Sequence, residues 1–503
     1  MIAGGSDDGG DKVVTFPTTA QERRALRKAK QDRERQRLVN VFIDEAGGDQ
    51  ALFRTPDNIA YADVIIAGHR ETWPVRSVQF RHAYVRYLRQ QLDRFLDTDP
   101  AKALMAKAAM SKAAVNAALD DFETRAICAP VVREVHARVA EHNGDIYIDM
   151  ANADWHAIRI TPAGWSVVEA PPVRFMRTAG TLALPMPTRG TKIDALRPLL
   201  NTTDTDFPLI VAFLLAALYP YGPYPILILY GVQGSAKTNF LRRLRMLIDP
   251  HAVETSALPP SGRELFIAAR NTHLQTFENV SKLSDLMSDH FCRLATGSGL
   301  RMRRLFKDTD ETLFRSARPI AFEGISNVVT RADLQDRSVI MKLEPLSEYV
   351  TERELRLAFR QQHAGILGAL LDMMACGLAN LPTTKLVKPP RMADFATWAV
   401  ACGVERFEEH YAANRSNAIQ TMLAFDPLAE AIRALMARRK GKVWRGVMRD
   451  LLDAVGPTTG FKDPNKLSSA LRRLIPPLAT VGIKVTFEDR KAEHRTFRIE
   501  RVP

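Results

Sequence analysis

The chain has 503 residues, of which 46% are hydrophobic and 25% charged, the balance of a globular protein with sizeable cores and not of a fibrous or disordered one. Its 70 Lys and Arg against 57 Asp and Glu leave a formal charge of +13; the partner this favours is a polyanion, most commonly nucleic acid, with a generally basic surface as the plain alternative. Four cysteines stand far apart with no CxxC pair, and no run of about 18 apolar residues occurs, so a zinc module, a disulfide framework and a membrane partner are not expected, and a reducing cytoplasm fits.

In chain order, residues 1–39 read as a Gly- and Asp-rich disordered start followed by a basic helix. That helix, Gln21 to Leu38, has eight Lys/Arg against three Asp/Glu, which suits either nucleic acid or a solvated face. Residues 40–190 read as one α+β domain. Strands flank a turn at PDN between Leu52 and Val75, the helix VQFRHAYVRYLRQQLDRFL follows, and strands return over 130–190 with a turn at HNGD. Asp145, Asp149 and Asp154 invite a two-metal reading, but a turn and an alternating strand account for them. Residues 191–224 form a helical collar, 225–345 a nucleotide-binding α/β core, 346–424 a helical connector and 425–503 a small domain.

The octet GVQGSAKT, Gly231 to Thr238, follows the apolar run PILILY and precedes the helix-like NFLRRLRMLI. Strand, glycine-bearing turn and helix in that order cradle nucleotide phosphates on backbone N–H groups. Gly231, Gly234, Ser235 and Ala236 make the loop, Lys237 reaches the β- and γ-phosphates of ATP, and Thr238 ligates Mg²⁺. Ala236 replaces the second glycine of GxxxxGK[ST] and fits if its φ is negative. The plain alternative is a chance match in an αβ turn.

About forty residues on, HLQTFENVSKLSD offers a strand, Leu274 to Phe277, ending in Glu278-Asn279. Glu278 is the candidate that holds the Mg²⁺ shell, although Asn279 stands where a second acid is usual; a loop carboxylate is the alternative. LATGSGLRMRRLFKD, RPIAFEGI and TRADLQDRS then follow in order. This order resembles superfamily 3 helicases within the AAA+ ATPases, especially the helicase parts of phage and plasmid primase-helicases, over about 225–345 and more loosely to 400.

The resemblance implies an AAA+-like P-loop core in a homo-oligomeric ring, a hexamer, acting on DNA. It makes Arg301, Arg303, Arg304 and Lys307 the cations of a DNA-contacting β-hairpin. It makes RPIAFEGI a sensor strand and Arg331 and Arg337 arginine fingers reaching a neighbour's ATP, Arg337 ahead of Arg331. Sensor strands of this group usually end in a polar residue such as Asn, and here Glu323 stands there. That carboxylate either supplies the acid missing at Asn279 or repels the γ-phosphate.

The segment 425–503 reads as a winged helix. Its helices are PLAEAIRALMARR, VWRGVMRDLLDAV and NKLSSALRRLIPPLATVG, and two strands flank RKAE. Lys466, Arg472 and Arg473 near the recognition helix, and Arg490, Lys491 and Arg495 on the wing, suit phosphate contacts; a protein-binding module with a basic face is the alternative. Three functions stay open: an ATP-driven DNA helicase of a mobile element, an ATP-binding initiator or assembly factor with slow or no hydrolysis, and a primase-helicase with synthesis chemistry in 40–190.

Overall fold

The computed structural model describes residues 40–303, 311–314, 317–325, 331–438, 442–488 and 496–502, together with Thr19, Ala20 and Arg24. The Gly- and Asp-rich start, nearly all of the basic helix, and Arg304, Lys307, Arg490, Lys491 and Arg495 lie outside the described residues.

Two compact units divide at Glu134 and Val135. In the first, β1 (Leu52–Arg54), β2 (Ala60–Ile66) and β3 (His69–Pro74) form an antiparallel sheet in that order. Ala67 and Gly68, at φ 50° and 86°, supply the left-handed pair that a two-residue hairpin turn needs. Helices α1 (Val78–Leu96), α2 (Pro100–Ala109) and α3 (Lys112–Cys128) follow. Each starts on a capping side chain: Ser77, Asp99 and Ser111 accept from the amides of Phe80, Lys102 and Ala114. Phe80, Tyr84 and Phe122 meet edge to face in its core.

The second unit opens with a meander of β4 (Val139–His142), β5 (Asp145–Asp149), β6 (Ala157–Thr161) and β7 (Gly164–Val168). The single α+β domain expected over 40–190 is therefore divided. The physical reason is burial: Ile146, Ile148, Ile158 and Ile160 of the meander share one core with helix α4 (Phe207–Ala217), whose eleven residues are almost all buried. Asp145 pairs with Arg159 at 2.6 Å and buried Asp149 with Arg177 at 2.6 Å, so both serve the meander. Asp154 sits in the exposed turn that follows.

Next come β8 (Ile226–Tyr230), α5 (Lys237–Ile248), α6 (Gly262–Asn271), β9 (Gln275–Phe277), α7 (Asp285–Thr296), the ribbon β10 (Leu300–Arg303) and β11 (Glu311–Phe314), β12 (Ile320–Gly324), α8 (Ala332–Gln335) and β13 (Ser338–Lys342). Strands β13, β8, β12 and β9 lie side by side, all parallel. β8, β12 and β13 read as near-continuous apolar runs because a parallel sheet is covered on both faces, whereas β9 buries Gln275 and Thr276 beside Phe277.

Helix α9 (Glu352–Asn380) starts on a Thr351/Glu354 capping box, and α10 (Ala393–Ala401) and α11 (Phe407–Phe425) follow it. α9 is long and apolar enough to cross a membrane by composition, but 61% of its most apolar stretch is buried in the protein.

The last segment packs α12 (Pro427–Arg438), α13 (Met448–Thr459) and α14 (Pro464–Thr480) on a sheet ordered β14 (Val443–Gly446), β16 (Phe497–Arg501), β15 (Ile483–Phe487). VWRG, expected as the start of a helix, is instead the strand β14. Trp444 is buried against Phe497, ring centres 5.2 Å apart, and pairing with β16 outweighs the local helical pattern.

Candidate nucleotide site

β8 lies inside its parallel sheet, and the chain leaves it at the carboxyl edge, where such sheets place ligands. No side chain caps the first turn of α5, so its amides remain as donors for an anion. A Cβ on Gly231 would strike the Leu343 carbonyl, and one on Gly234 would come to 2.7 Å from Tyr349 Oη. Ala236 does not take the expected negative φ. It stands at φ 59°, ψ 25°, because the turn into α5 uses the left-handed conformation for which glycine is the usual residue. An alanine there costs about 1–2 kcal/mol.

Lys237 is 8% exposed. Its ammonium donates to Gly231 O and Val232 O, both at 2.9 Å, and to Ser235 Oγ at 3.3 Å. These acceptors are all neutral, so a buried cation with such company gains from an incoming anion. Thr238 Oγ1 donates to Glu323 Oε1 at 3.0 Å, and the amide of Asn279 donates to the same oxygen at 3.1 Å. Glu323 is 2% exposed. Asn279 adopts φ 54°, and the Val280 amide donates to Glu323 O at 2.9 Å, which folds the end of β9 around this carboxylate.

The carboxylate at Thr238 is thus Glu323 and not Glu278, as the order of motifs had led us to expect. The reason is topological. β12 is the neighbour of β8, and β9 lies one strand farther out, about another 4.8 Å away. Glu278 accepts from Thr255 Oγ1 at 2.7 Å and lies 3.9 Å from Arg242. A hydroxyl and a carboxylate oxygen are hard donors of the kind Mg²⁺ takes, and Mg²⁺ usually completes its octahedron with substrate phosphates and water. No group of three or more His, Cys, Asp or Glu suited to a metal occurs among the described residues.

A buried ionic cluster lies at the other end of α5, at the amino edge of the sheet. Asp249, at the end of α5, accepts from Arg138 Nε at 2.9 Å and from the amides of His273 and Leu274 at 3.1 and 2.9 Å, with Arg245 at 3.7 Å. Burial by itself would raise the Asp249 carboxyl, but Arg245 and Arg138 hold it well below the usual carboxylate range. Asn201 Nδ2 donates to Ser235 O at 3.0 Å and to Glu344 O at 2.7 Å, tying the loop to the segment after β13. Neither Asn201 nor Arg138 belongs to a motif, and no local signal marks them.

The other candidates are scattered. Arg337 is bound to Asp333 in its own chain, and Arg331 pairs with Asp289 at 2.9 Å. Arg331 is the more exposed of the two, 31% against 19%. Partial burial works to raise the Asp333 carboxyl, yet its hydrogen bond from Arg337 lowers it. Arg301 and Arg303 stand two apart on β10, in an antiparallel ribbon pairing Leu300 with Phe314. Lys466, Arg472 and Arg473 are exposed on α14, with the Arg472 guanidinium 4.2 Å over the Phe487 ring.

Residues 193–417 match the family described as actinomycete integrative conjugative element replication protein, and residues 428–503 match the AICE RepA C-terminal domain. No curated protein matches the chain. Among solved structures, the apo A form of the NrS-1 C-terminal region is similar at 11% identity and a TM-score of 0.40, covering 90% of this chain and 96% of that one. An apo structure of residues 305–718 of the same protein gives 13% identity and 0.39 over the same shares. Likeness at this level says nothing of function. The two family matches are consecutive, take in more than half of the chain, and contain the loop, both carboxylates and the C-terminal sheet: the chain is a mobile-element replication protein of the integrative conjugative element RepA kind.

Proposed function

We propose that the chain is the ATP-dependent DNA helicase or translocase of its element's replication system, an AAA+-like P-loop motor of the superfamily 3 type working as a ring on single-stranded DNA. The observation that carries this is the cluster of Lys237, Thr238 and Glu323 at one edge of a parallel sheet. Lys237 exchanges its neutral acceptors for the β- and γ-phosphates, and the free amides of α5 bind their oxygens. Thr238 and Glu323 are the residues that would hold Mg²⁺, which would supply charge neutralisation on the phosphates. Glu323 is also the acid that orients or deprotonates the attacking water, since Asn279 cannot. The ribbon β10–β11, with Arg301 and Arg303, tracks the DNA backbone, and the C-terminal module acts as a winged helix on DNA through Lys466, Arg472 and Arg473. In a hexameric ring, Arg331 or Arg337 leaves its aspartate to reach a neighbour's phosphates.

The test is ATP turnover with and without single-stranded DNA, alongside calorimetric ATP binding. Lys237→Ala is expected to abolish both, and neutralising Arg301 and Arg303 to flatten the salt dependence of DNA binding by about one counterion per lost contact. ATP affinity unchanged in Lys237→Ala overturns the site. A second reading, an ATP-binding initiator that hydrolyses slowly, is favoured by the engagement of Glu323 with both Thr238 and the Asn279 amide. Binding without DNA-stimulated turnover in the parent protein selects it.

A further inference from the structure

The segment that leaves β13 runs back over the phosphate loop. Leu343 N donates to Tyr230 O at 2.8 Å, the Leu346 amide approaches Gly234 O at 3.4 Å, and Asn201 holds Glu344 O and Ser235 O together. Tyr349 is thereby brought to the loop. Its hydroxyl lies 2.7 Å from where a Cβ of Gly234 would stand, so the absence of a side chain at Gly234 is what lets the phenol approach. Only the tip of the ring rests there, and Tyr349 remains 77% exposed. Val350 beside it and Val232 within the loop are also exposed, at 53% and 54%. An exposed aromatic with two exposed valines, at the lip of a loop otherwise made of polar and backbone groups, is apolar surface left uncovered.

We infer that Tyr349 is the stacking platform for the nucleobase of the bound nucleoside triphosphate, with Val232 and Val350 flanking it. This rests on the phosphate-loop reading and adds to it the residue that holds the base. The phosphates engage Lys237 and the start of α5, and the only other part of the ligand with a flat apolar face is the base. A ring face is sequence-tolerant toward bases, since every base presents a π surface, and removing such a platform commonly lowers affinity about 5- to 100-fold. The Asn201 clamp makes the placement of Tyr349 depend on the loop, so the platform and the cradle are set by one backbone arrangement.

The experiment compares two ligands on the full chain: ATP, which has a base, and inorganic tripolyphosphate, which has none. Tyr349→Ala is expected to weaken ATP about tenfold and leave tripolyphosphate unchanged, while Tyr349→Phe, which keeps the ring, binds ATP as the parent does. Tyr349→Trp adds a direct readout, with fluorescence quenched by ATP and not by tripolyphosphate. Equal losses for both ligands in Tyr349→Ala would show that the residue only shapes the loop, and an unchanged ATP affinity would remove it from the site. If the parent binds neither ligand, the phosphate-loop reading itself falls and the platform with it.

Discussion

Replacing Glu323 by glutamine separates the two jobs assigned to that side chain. The carboxylate is 2% exposed and accepts from Thr238 Oγ1 at 3.0 Å and the Asn279 amide at 3.1 Å, both on one oxygen. Glutamine keeps an acceptor oxygen in the same place, so both bonds survive as neutral ones. Each loses about half its strength, but a desolvated charge disappears with them, and folding stability is expected to stay within about 1 kcal/mol of the parent. Turnover is a different matter. A positioned general base contributes about 10²–10⁴-fold, or roughly 3–5 kcal/mol of barrier, and an amide cannot take the proton. Steady-state ATP hydrolysis with single-stranded DNA should fall by that factor while calorimetric ATP affinity holds. Glu278→Gln, whose parent carboxylate faces Thr255 and Arg242, should cost less than about tenfold. A Glu323→Gln protein that hydrolyses at the parental rate refutes the assignment, and so does a larger loss in Glu278→Gln. Rescue of Glu323→Gln by raised Mg²⁺ would leave the side chain a metal-holding role and remove the proton-accepting one.

Three further outcomes follow from the same geometry. Ala236→Gly should raise stability by up to about 1 kcal/mol, because the left-handed strain it removes exceeds the backbone freedom it adds; a loss of that size in denaturant titration would contradict the φ of 59°. Asp249→Asn leaves buried Arg138 and Arg245 facing a neutral group and should destabilise the protein by about 3–5 kcal/mol, whereas Asp145→Asn, in an exposed pair with Arg159, should cost under about 1 kcal/mol; similar melting temperatures for the two variants would refute the burial argument. His136, His273 and His363 are each pushed by burial down to about 4, so between about pH 6.5 and 4 the unfolded chain binds more protons and stability falls as pH falls. Thermal melts at stepwise lower pH should show the decline setting in near 6.5, and a flat profile down to 4 would refute it.

Much of this protein was legible in short stretches of sequence because the physics there is local. GVQGSAKT after an apolar strand, HNGD between alternating strands, and α1 with its full span Val78–Leu96 depend on neighbours within a few residues. Ile320–Gly324, a buried strand carrying Glu323, was placed by the family resemblance and not by its local pattern. Where pairing partners are distant, local pattern misled or was silent. VWRG follows helical periodicity, yet Trp444 pairs across to Ile499 and is buried on Phe497. The meander was read as one domain with residues 40–134 because the core that Ile146, Ile148, Ile158 and Ile160 join is built from helices that follow it in the chain.

The candidate site divides along the same line. Lys237 and Thr238 belong to a motif, whereas the carboxylate at Thr238 comes from 85 residues away, and its identity follows from β12 taking the place beside β8. Arg138 reaches Asp249 across 111 residues, and Asn201 reaches Glu344 across 143. The sequence by itself determined which residues carry charge, hydroxyl and glycine, and where the chain turns into a helix. Which carboxylate meets which hydroxyl was decided by tertiary structure alone, because parallel strand order is chosen by side-chain packing over both sheet faces, and no residue's local neighbourhood encodes that choice.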